Sequence, residues 1–486
     1  MKKFFKALSV LLIFAMVLSM AGCSNDDSSS SKKRKKKHKD RDKKKIEETE
    51  EPQVVDTIPV IETEPTEVWS EPAEKAVINL WAYTDEVPRM VDKYIDLHPE
   101  FAEKYEIVVT IKPTTDGIYQ PELDSALIYG GEEAPDMYCV ESAFVFKYVD
   151  GSMSEYAAPY YEYGITTTDI NSAGLAPYSV DIGTRDADNE VVALAYQSTG
   201  SAFIYRRSIA IDTFGTDDPA AIEEIIGAGS GDLNKFMEAA EELSKHGYVA
   251  VSGPYDIWRM FADASTDGWV VDKRLCIDPA REAYIDYAKE LFDGGYTNKH
   301  AEWTMDWMTD MASDNCFGYF GPAWFIQYTL ESNCSSTFGD WAICTPPMSF
   351  CWGGTWLVGN KNSSPEVKEG VAELMRWITV DTSEEGLQYF WANGMLNDVG
   401  TKDSVTSSVV MAKSNGELDI LGGQDMFDVF VKCNEMVNGT NFTEYDEQLD
   451  YLWKDEVNQY LIGDLTRSEA IEEFVEYAYD WYGIPS

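Results

Sequence analysis

The chain has 486 residues, 39 Lys or Arg against 85 Asp or Glu, and a formal net charge of -46. A deficit of that size excludes nucleic acid as a partner for the chain as a whole. With 44% apolar and 13% aromatic residues, the composition also lies outside the disordered class and allows a sizeable core.

Lys2, Lys3 and Lys6 precede an apolar run at 7–18, followed by Ser19-Met20-Ala21-Gly22-Cys23. The run is too short for a membrane span of about 20 residues and suits an export signal. The small residues before Cys23 resemble a bacterial lipobox, which implies a signal peptide at 1–22 and lipidation of Cys23. Two or three acyl chains there would anchor firmly where one would not. Residues 23–75 read as a disordered charged tether. Its basic block at 32–45 carries +9, its acidic part at 46–75 carries -9, and Pro52, Pro59, Pro65 and Pro72 punctuate it. The basic block has no aromatic to stack a base. It is either a contact for anionic head groups or wall polymers or a plain solvated spacer. The two blocks cancel, so the folded part carries essentially the whole deficit, and its length suits two or three domains.

That part opens with a βαβαβ pattern: strand 77–83, helix 86–101, strand 107–111, helix 119–129 and strand 135–140. Val87, Met90, Val91, Tyr94 and Ile95 fall on one face of the first helix, with Pro88 tolerated in its first turn and Asp85 as a natural N-cap. Strands alternating with helices predict an α/β fold with a parallel sheet and right-handed crossovers. Ligands of such sheets bind at the carboxyl ends of the strands, a rim that here holds Asp85, Glu86 and Glu141.

The string LWAYTDEVPRMVDKYIDLHPEF, followed by TIKPTTDGIYQPELDSALIYGGEEAPDMY, resembles the mature start of bacterial extracellular solute-binding proteins of family 1, the carbohydrate ABC-transporter type. Matching strings follow in order: Ala195-Tyr196-Gln197-Ser198-Thr199, Phe203-Ile204-Tyr205-Arg206-Arg207, Asp232-Leu233-Asn234-Lys235-Phe236, Tyr319-Phe320-Gly321-Pro322-Ala323-Trp324-Phe325, Trp352-Gly353-Gly354-Thr355-Trp356-Leu357 and Ile420-Leu421-Gly422-Gly423-Gln424. The resemblance covers 77–486. It implies a periplasmic-binding-protein-like type II fold, with two α/β lobes joined by a hinge and a ligand cleft between them. Lobe one would hold 77–197 and 347–388, and lobe two 198–346 and 389–486, with crossings near 196–200, 345–350 and 383–396. The implied function is carbohydrate capture by a monomer, lipid-anchored on the extracytoplasmic face of the cell membrane, and delivery to ABC-transporter permease subunits, with no cofactor.

Sugar capture needs aromatic planes for the C–H faces and carboxylates or amides for the hydroxyls. Trp324 is the stacking platform the resemblance implies, with Trp352, Gly353 and Trp356 beside it. A buried core role is the alternative for each Trp. Asp85, Glu86, Glu141, Gln197 and Gln424 are the polar candidates, Asp85 serving as cap, ligand contact or both. Tyr255 and Trp258 in PYDIWRMF take either a ligand-contact or a core role.

Three isolated histidines outside the tether, with no H-x-x-x-H spacing, argue against zinc hydrolase or Ser-His-Asp chemistry. Gly227-Ala228-Gly229-Ser230-Gly231-Asp232 lacks the Lys-Ser/Thr ending of a phosphate loop, and Asp232 reads as the cap of a helix at 233–245. Beyond Cys23 seven cysteines remain with no C-x-x-C pair, which argues against a metal cluster and leaves one or two disulfides open. A secreted glycoside hydrolase, with two carboxylates about 5 to 9.5 Å apart, and a binding protein for a non-sugar solute are the alternative functions. No eightfold βα repeat supports the hydrolase.

Overall fold

The computed structural model describes residues 75–114, 117–396 and 400–486. The expected signal peptide, Cys23 and the tether up to residue 74 lie outside them. Contacts within the chain separate Lys75–Ser486 as a unit of its own.

Its first elements follow the predicted order: β1 (Ala76–Ala82), α1 (Glu86–Leu97), β2 (Tyr105–Ile111), α2 (Tyr119–Tyr129) and β3 (Met137–Glu141). The face of α1 that buries Val87, Met90, Val91 and Tyr94 is the one its periodicity marks. Asp85 does not cap it through its side chain. The residue sits at φ -84° and ψ 3° rather than in the extended geometry a capping side chain needs, and its carboxylate pairs instead with Arg89 at 3.2 Å. Asp232 behaves similarly: the helix begins at Asn234, whose N–H donates to the Asp232 carboxylate at 2.9 Å from one residue further out than expected.

Six more strands complete two sheets: β4 (Ala193–Ala195), β5 (Ala202–Arg206), β6 (Val249–Val251), β7 (Cys316–Gly321), β8 (Trp341–Cys344) and β9 (Thr355–Gly359). The first sheet runs β2-β1-β3-β9-β4, with β1 parallel to β2 and β3, and β9 antiparallel to β3 and β4. The second runs β8-β5-β7-β6, with β5 antiparallel to both neighbours and β7 parallel to β6. Every strand of the first sheet lies in 76–195 or 355–359, and every strand of the second in 202–344. The chain therefore leaves the first sheet just after β4 and returns just before β9.

At these passages three extended segments pair side by side. Ser201 N–H donates to Phe350 O (3.0 Å), Trp352 N–H to Thr199 O (3.1 Å), and Thr406 N–H to Tyr196 O (3.1 Å). The third segment lies later than the crossing expected at 383–396. Trp391 and residues 404–411, expected on the second lobe, pack on the first: Trp391 stacks on Tyr196, Ser407 donates to Ala173 O, and Val405, Val410 and Met411 share a core with Ile170 and Leu175. The Gln388 amide oxygen accepts from Thr406 Oγ1 and Ser407 N–H, which ties the stretch down.

Helix α3 (Trp258–Asp263) lies within the second core, whereas α4 (Pro365–Thr379) covers the first sheet, with Gly370 against Ile78 and Tyr105. Helices α5 (Asp446–Leu461) and α6 (Arg467–Tyr482) close the chain as a packed pair, contributing Leu449, Trp453 and Phe474 to the second core. Among the described residues, the seven cysteines are all free thiols, no His/Cys/Asp/Glu group is arranged to hold a metal ion, and no helix is long and apolar enough to cross a membrane.

Candidate ligand cleft

Glu141 is the last residue of β3, half-buried at the strand's carboxyl end. Its carboxylate accepts from Ser142 Oγ (2.9 Å) and Ala143 N–H (3.2 Å). Burial pushes Glu141 up to about 7; the Ser142 hydrogen bond pulls against it, the Glu447 carboxylate adds to it, and the Ala143 N–H and Arg259 oppose it more weakly. Arg259 sits on α3 and Glu447 on α5, both packed in the second core, so charges of the second lobe act on a carboxyl that the first sheet supplies. Beyond the end of β1, Glu86 accepts a short 2.5 Å bond from Tyr196 and is likewise raised by burial. Tyr83 hydrogen-bonds Thr355 at 2.5 Å.

Three half-buried tryptophans make the aromatic wall. Trp324 follows the Gly321-Pro322 turn and opens a wide helical turn at Phe325–Leu330. Its indole N–H donates to the Trp352 carbonyl at 2.8 Å, and the two rings meet edge to face at 5.1 Å. Trp303 lies nearly parallel to Trp324, 7° between planes and 6.4 Å between centroids, and edge-on to Trp352 at 5.6 Å. The glycine pair beside Trp352 is needed for backbone shape. Gly353 and Gly354 have φ of +74° and +104°, and a Cβ on Gly353 would meet the Trp324 indole at 3.4 Å. Ser142 N–H donates to Gly354 O at 3.3 Å, which joins the aromatic segment to the Glu141 loop.

The Arg259 guanidinium stacks 3.8 Å from the Trp352 ring centroid and grips Glu302 through two bonds of 2.6 and 3.2 Å. Tyr328 lies within electrostatic range of Glu86 and Asp85 across the gap. The site thus combines half-buried indoles with carboxyls that have hydrogen-bonding capacity, a set of groups suited to a ligand with apolar faces and a hydroxyl rim.

Of the residues expected from sequence, the structure brings together Glu86, Glu141, Trp324, Trp352 and Gly353. Asp85 stands at the rim, exposed and paired with Arg89. Four expectations are corrected. Trp356 is fully buried in β9, its indole N–H donating to Ser179 O at 2.9 Å. Trp258 is fully buried in the second core, stacked on Trp269. Gln424 brackets the main chain of Ile343, accepting from its N–H and donating to its carbonyl, so it completes the edge of the second sheet. Gln197 is buried at the crossing and donates to Asp403 at 2.6 Å. Sequence reading missed Trp303, Arg259 and Glu302. The Glu302-Trp303 pair lies in an irregular loop without periodicity, and only the aromatic itself marked it.

No protein-family model and no curated protein matches the chain. Solved structures do share its fold. One described as extracellular solute-binding protein family 1 superposes with a TM-score of 0.67 at 16% identity, covering 82% of this chain and 98% of that one. The galacto-N-biose-/lacto-N-biose I-binding protein of the ABC transporter from Bifidobacterium longum, in complex with lacto-N-biose, gives 0.61 at 14% identity over 85% and 98%. The GacH receptor of Streptomyces glaucescens, solved unliganded and with acarbose, gives 0.56 at 15% identity over 85% and 100%. The chain has the two-lobed α/β fold of these proteins.

Proposed function

We propose that the chain is the lipid-anchored, extracytoplasmic binding component of an ABC importer, which captures a carbohydrate between its lobes and hands it to permease subunits. The observation that carries this reading is the junction of the Trp324–Trp352 pair with the Glu141 loop, built from both lobes at the strand ends where α/β sheets take ligands. The solved neighbours whose complexes hold lacto-N-biose and acarbose support it. In this reading lobe one comprises 77–197, 347–388, Trp391 and the 404–411 segment packed against it, and closure turns on the paired segments at 196–201, 350–352 and 404–406. Cys23 carries the lipid, and the charged tether sets the reach. Binding energy is realised mainly in the closed state, where Glu141 and Glu447 approach from opposite lobes.

A thermal-shift screen of Lys75–Ser486 against mono- and oligosaccharides tests the ligand class, because a ligand that binds only the folded state raises the melting point. A rise with at least one sugar is expected. No rise with any sugar, alongside a clear rise with an amino acid or peptide panel, would overturn the reading.

A further inference from the structure

We infer that Trp303 is a ligand-stacking residue that sets ligand length, and that the Arg259–Glu302 pair holds it in place, so that the cleft takes saccharides of two or more rings. This rests on the carbohydrate reading above. Trp303 has a φ of +65°, in the left-handed region that a bulky side chain rarely occupies. Such a conformation persists only where the surroundings fix it, and the fixing groups are identifiable. On one side Glu302 is drawn inward by the Arg259 fork, its side chain 7% exposed. On the other, Thr304 caps the next helix by accepting from Trp307 N–H at 3.3 Å. Trp307, fully buried and donating to Asp256 at 2.9 Å, packs behind Trp303 at 5.5 Å. The chain between these two anchors has to turn sharply, and the turn lays the Trp303 indole alongside Trp324.

The same guanidinium that grips Glu302 lies on Trp352. Arg259 therefore ties the loop carrying Trp303 to the segment carrying Trp352, and Trp324 is tied to Trp352 by its own hydrogen bond. Arg259 covers a face of Trp352, so the nearly parallel, half-buried indoles of Trp303 and Trp324 are the faces left for a ligand, and together they offer more apolar face than a single pyranose covers. A ligand that uses all of it has at least two rings. A lysine at 259 would keep the charge but lose the planar fork and the stacking.

The test uses Lys75–Ser486 with lacto-N-biose, β-1,6-galactobiose and maltotriose as oligosaccharide probes and galactose and glucose as monosaccharide probes, titrated by calorimetry. At least one oligosaccharide is expected to bind at least tenfold tighter than either monosaccharide, and Trp303→Ala to reduce that ratio at least tenfold. Trp303→Phe, which keeps a ring, should recover part of it. In the ligand-free protein, Arg259→Lys and Glu302→Gln should both change the near-ultraviolet circular dichroism of the indole cluster in the same sense as Trp303→Phe, a signature that a mere loss of stability does not produce. Oligosaccharide binding with an unchanged ratio in Trp303→Ala would overturn this inference and leave the carbohydrate reading standing. Binding of none of the five sugars would count against both.

Discussion

The indole N–H of Trp324 and the carbonyl oxygen of Trp352, 28 residues apart in sequence, meet at 2.8 Å. This bond turns two separate Gly-containing turns into one aromatic surface. It also orients the Trp324 face, since an indole anchored at its nitrogen cannot rotate freely. Trp324→Ala is expected to weaken sugar binding by about 2 kcal/mol or more, roughly thirtyfold, and Trp324→Phe, which keeps a ring but not the donor, by less. Calorimetry with whichever sugar raises the melting point checks both.

The two tryptophans that proved to be core residues should behave in the opposite way. Trp258→Ala and Trp356→Ala each empty a fully buried site, and Trp356→Ala also leaves Ser179 O without its donor. Each should cost about 3–5 kcal/mol in denaturant unfolding, whereas Trp324→Ala, at a half-buried position, should cost clearly less.

That contrast shows what the sequence could tell. The βαβαβ opening and the face of α1 were legible because strand and helix periods differ and the buried face repeats. The aromatic strings were legible as segments, but which Trp of WGGTW faces the cleft was not. The glycines at 353 and 354 bend the chain through positive φ before β9 begins, and that bend puts Trp352 outside the sheet and Trp356 within it. Gln197 and Gln424 carry amides suited to sugar hydroxyls, yet each amide hydrogen-bonds a partner more than 80 positions away in the chain, which no local pattern records. Trp303 depends on a left-handed turn fixed by Arg259, again a long-range cause.

Several buried carboxyls make stability depend on pH. Burial pushes Glu141, Asp256 and Asp446 up to about 7 and Asp263 up to about 8. A carboxyl raised in the folded state holds its proton there while the unfolded chain has released it. Stability is therefore highest below the ordinary carboxylate range and falls as pH rises from about 4.5 toward 8. The melting temperature of Lys75–Ser486 should drop by several degrees between pH 5.5 and 8. Asp263→Asn, which keeps an acceptor for the Asn438 N–H, should flatten that slope.

Contacts between the lobes predict an effect on ligand release. Ser152 Oγ donates to Glu444 at 2.9 Å and Gln120 Nε2 to Glu447 at 3.3 Å, each spanning from the first lobe to the segment at α5. Ser152→Ala combined with Gln120→Ala should raise the dissociation rate of bound sugar several-fold in stopped-flow tryptophan fluorescence, with the melting temperature of the empty protein little changed.

Thiol chemistry gives an independent check on the fold. All seven described cysteines are free, and only Cys276 and Cys351 are not fully buried. Burial further pushes the Cys351 thiol up to about 12, leaving it protonated and unreactive. A thiol reagent should therefore titrate about one group in native Lys75–Ser486, Cys276, and seven in denaturant, with or without prior reduction.

We propose that the Trp324–Trp352 surface beside the Glu141 loop captures a carbohydrate. The most direct measurement is calorimetric titration of Lys75–Ser486 and of its Trp324→Ala variant with the sugar giving the largest thermal shift. Micromolar binding, about 8 kcal/mol, that is lost in the variant while its fold and melting temperature are largely retained is the predicted result. Equal affinity in both proteins, or cleavage of the sugar into shorter products during the titration, would contradict it.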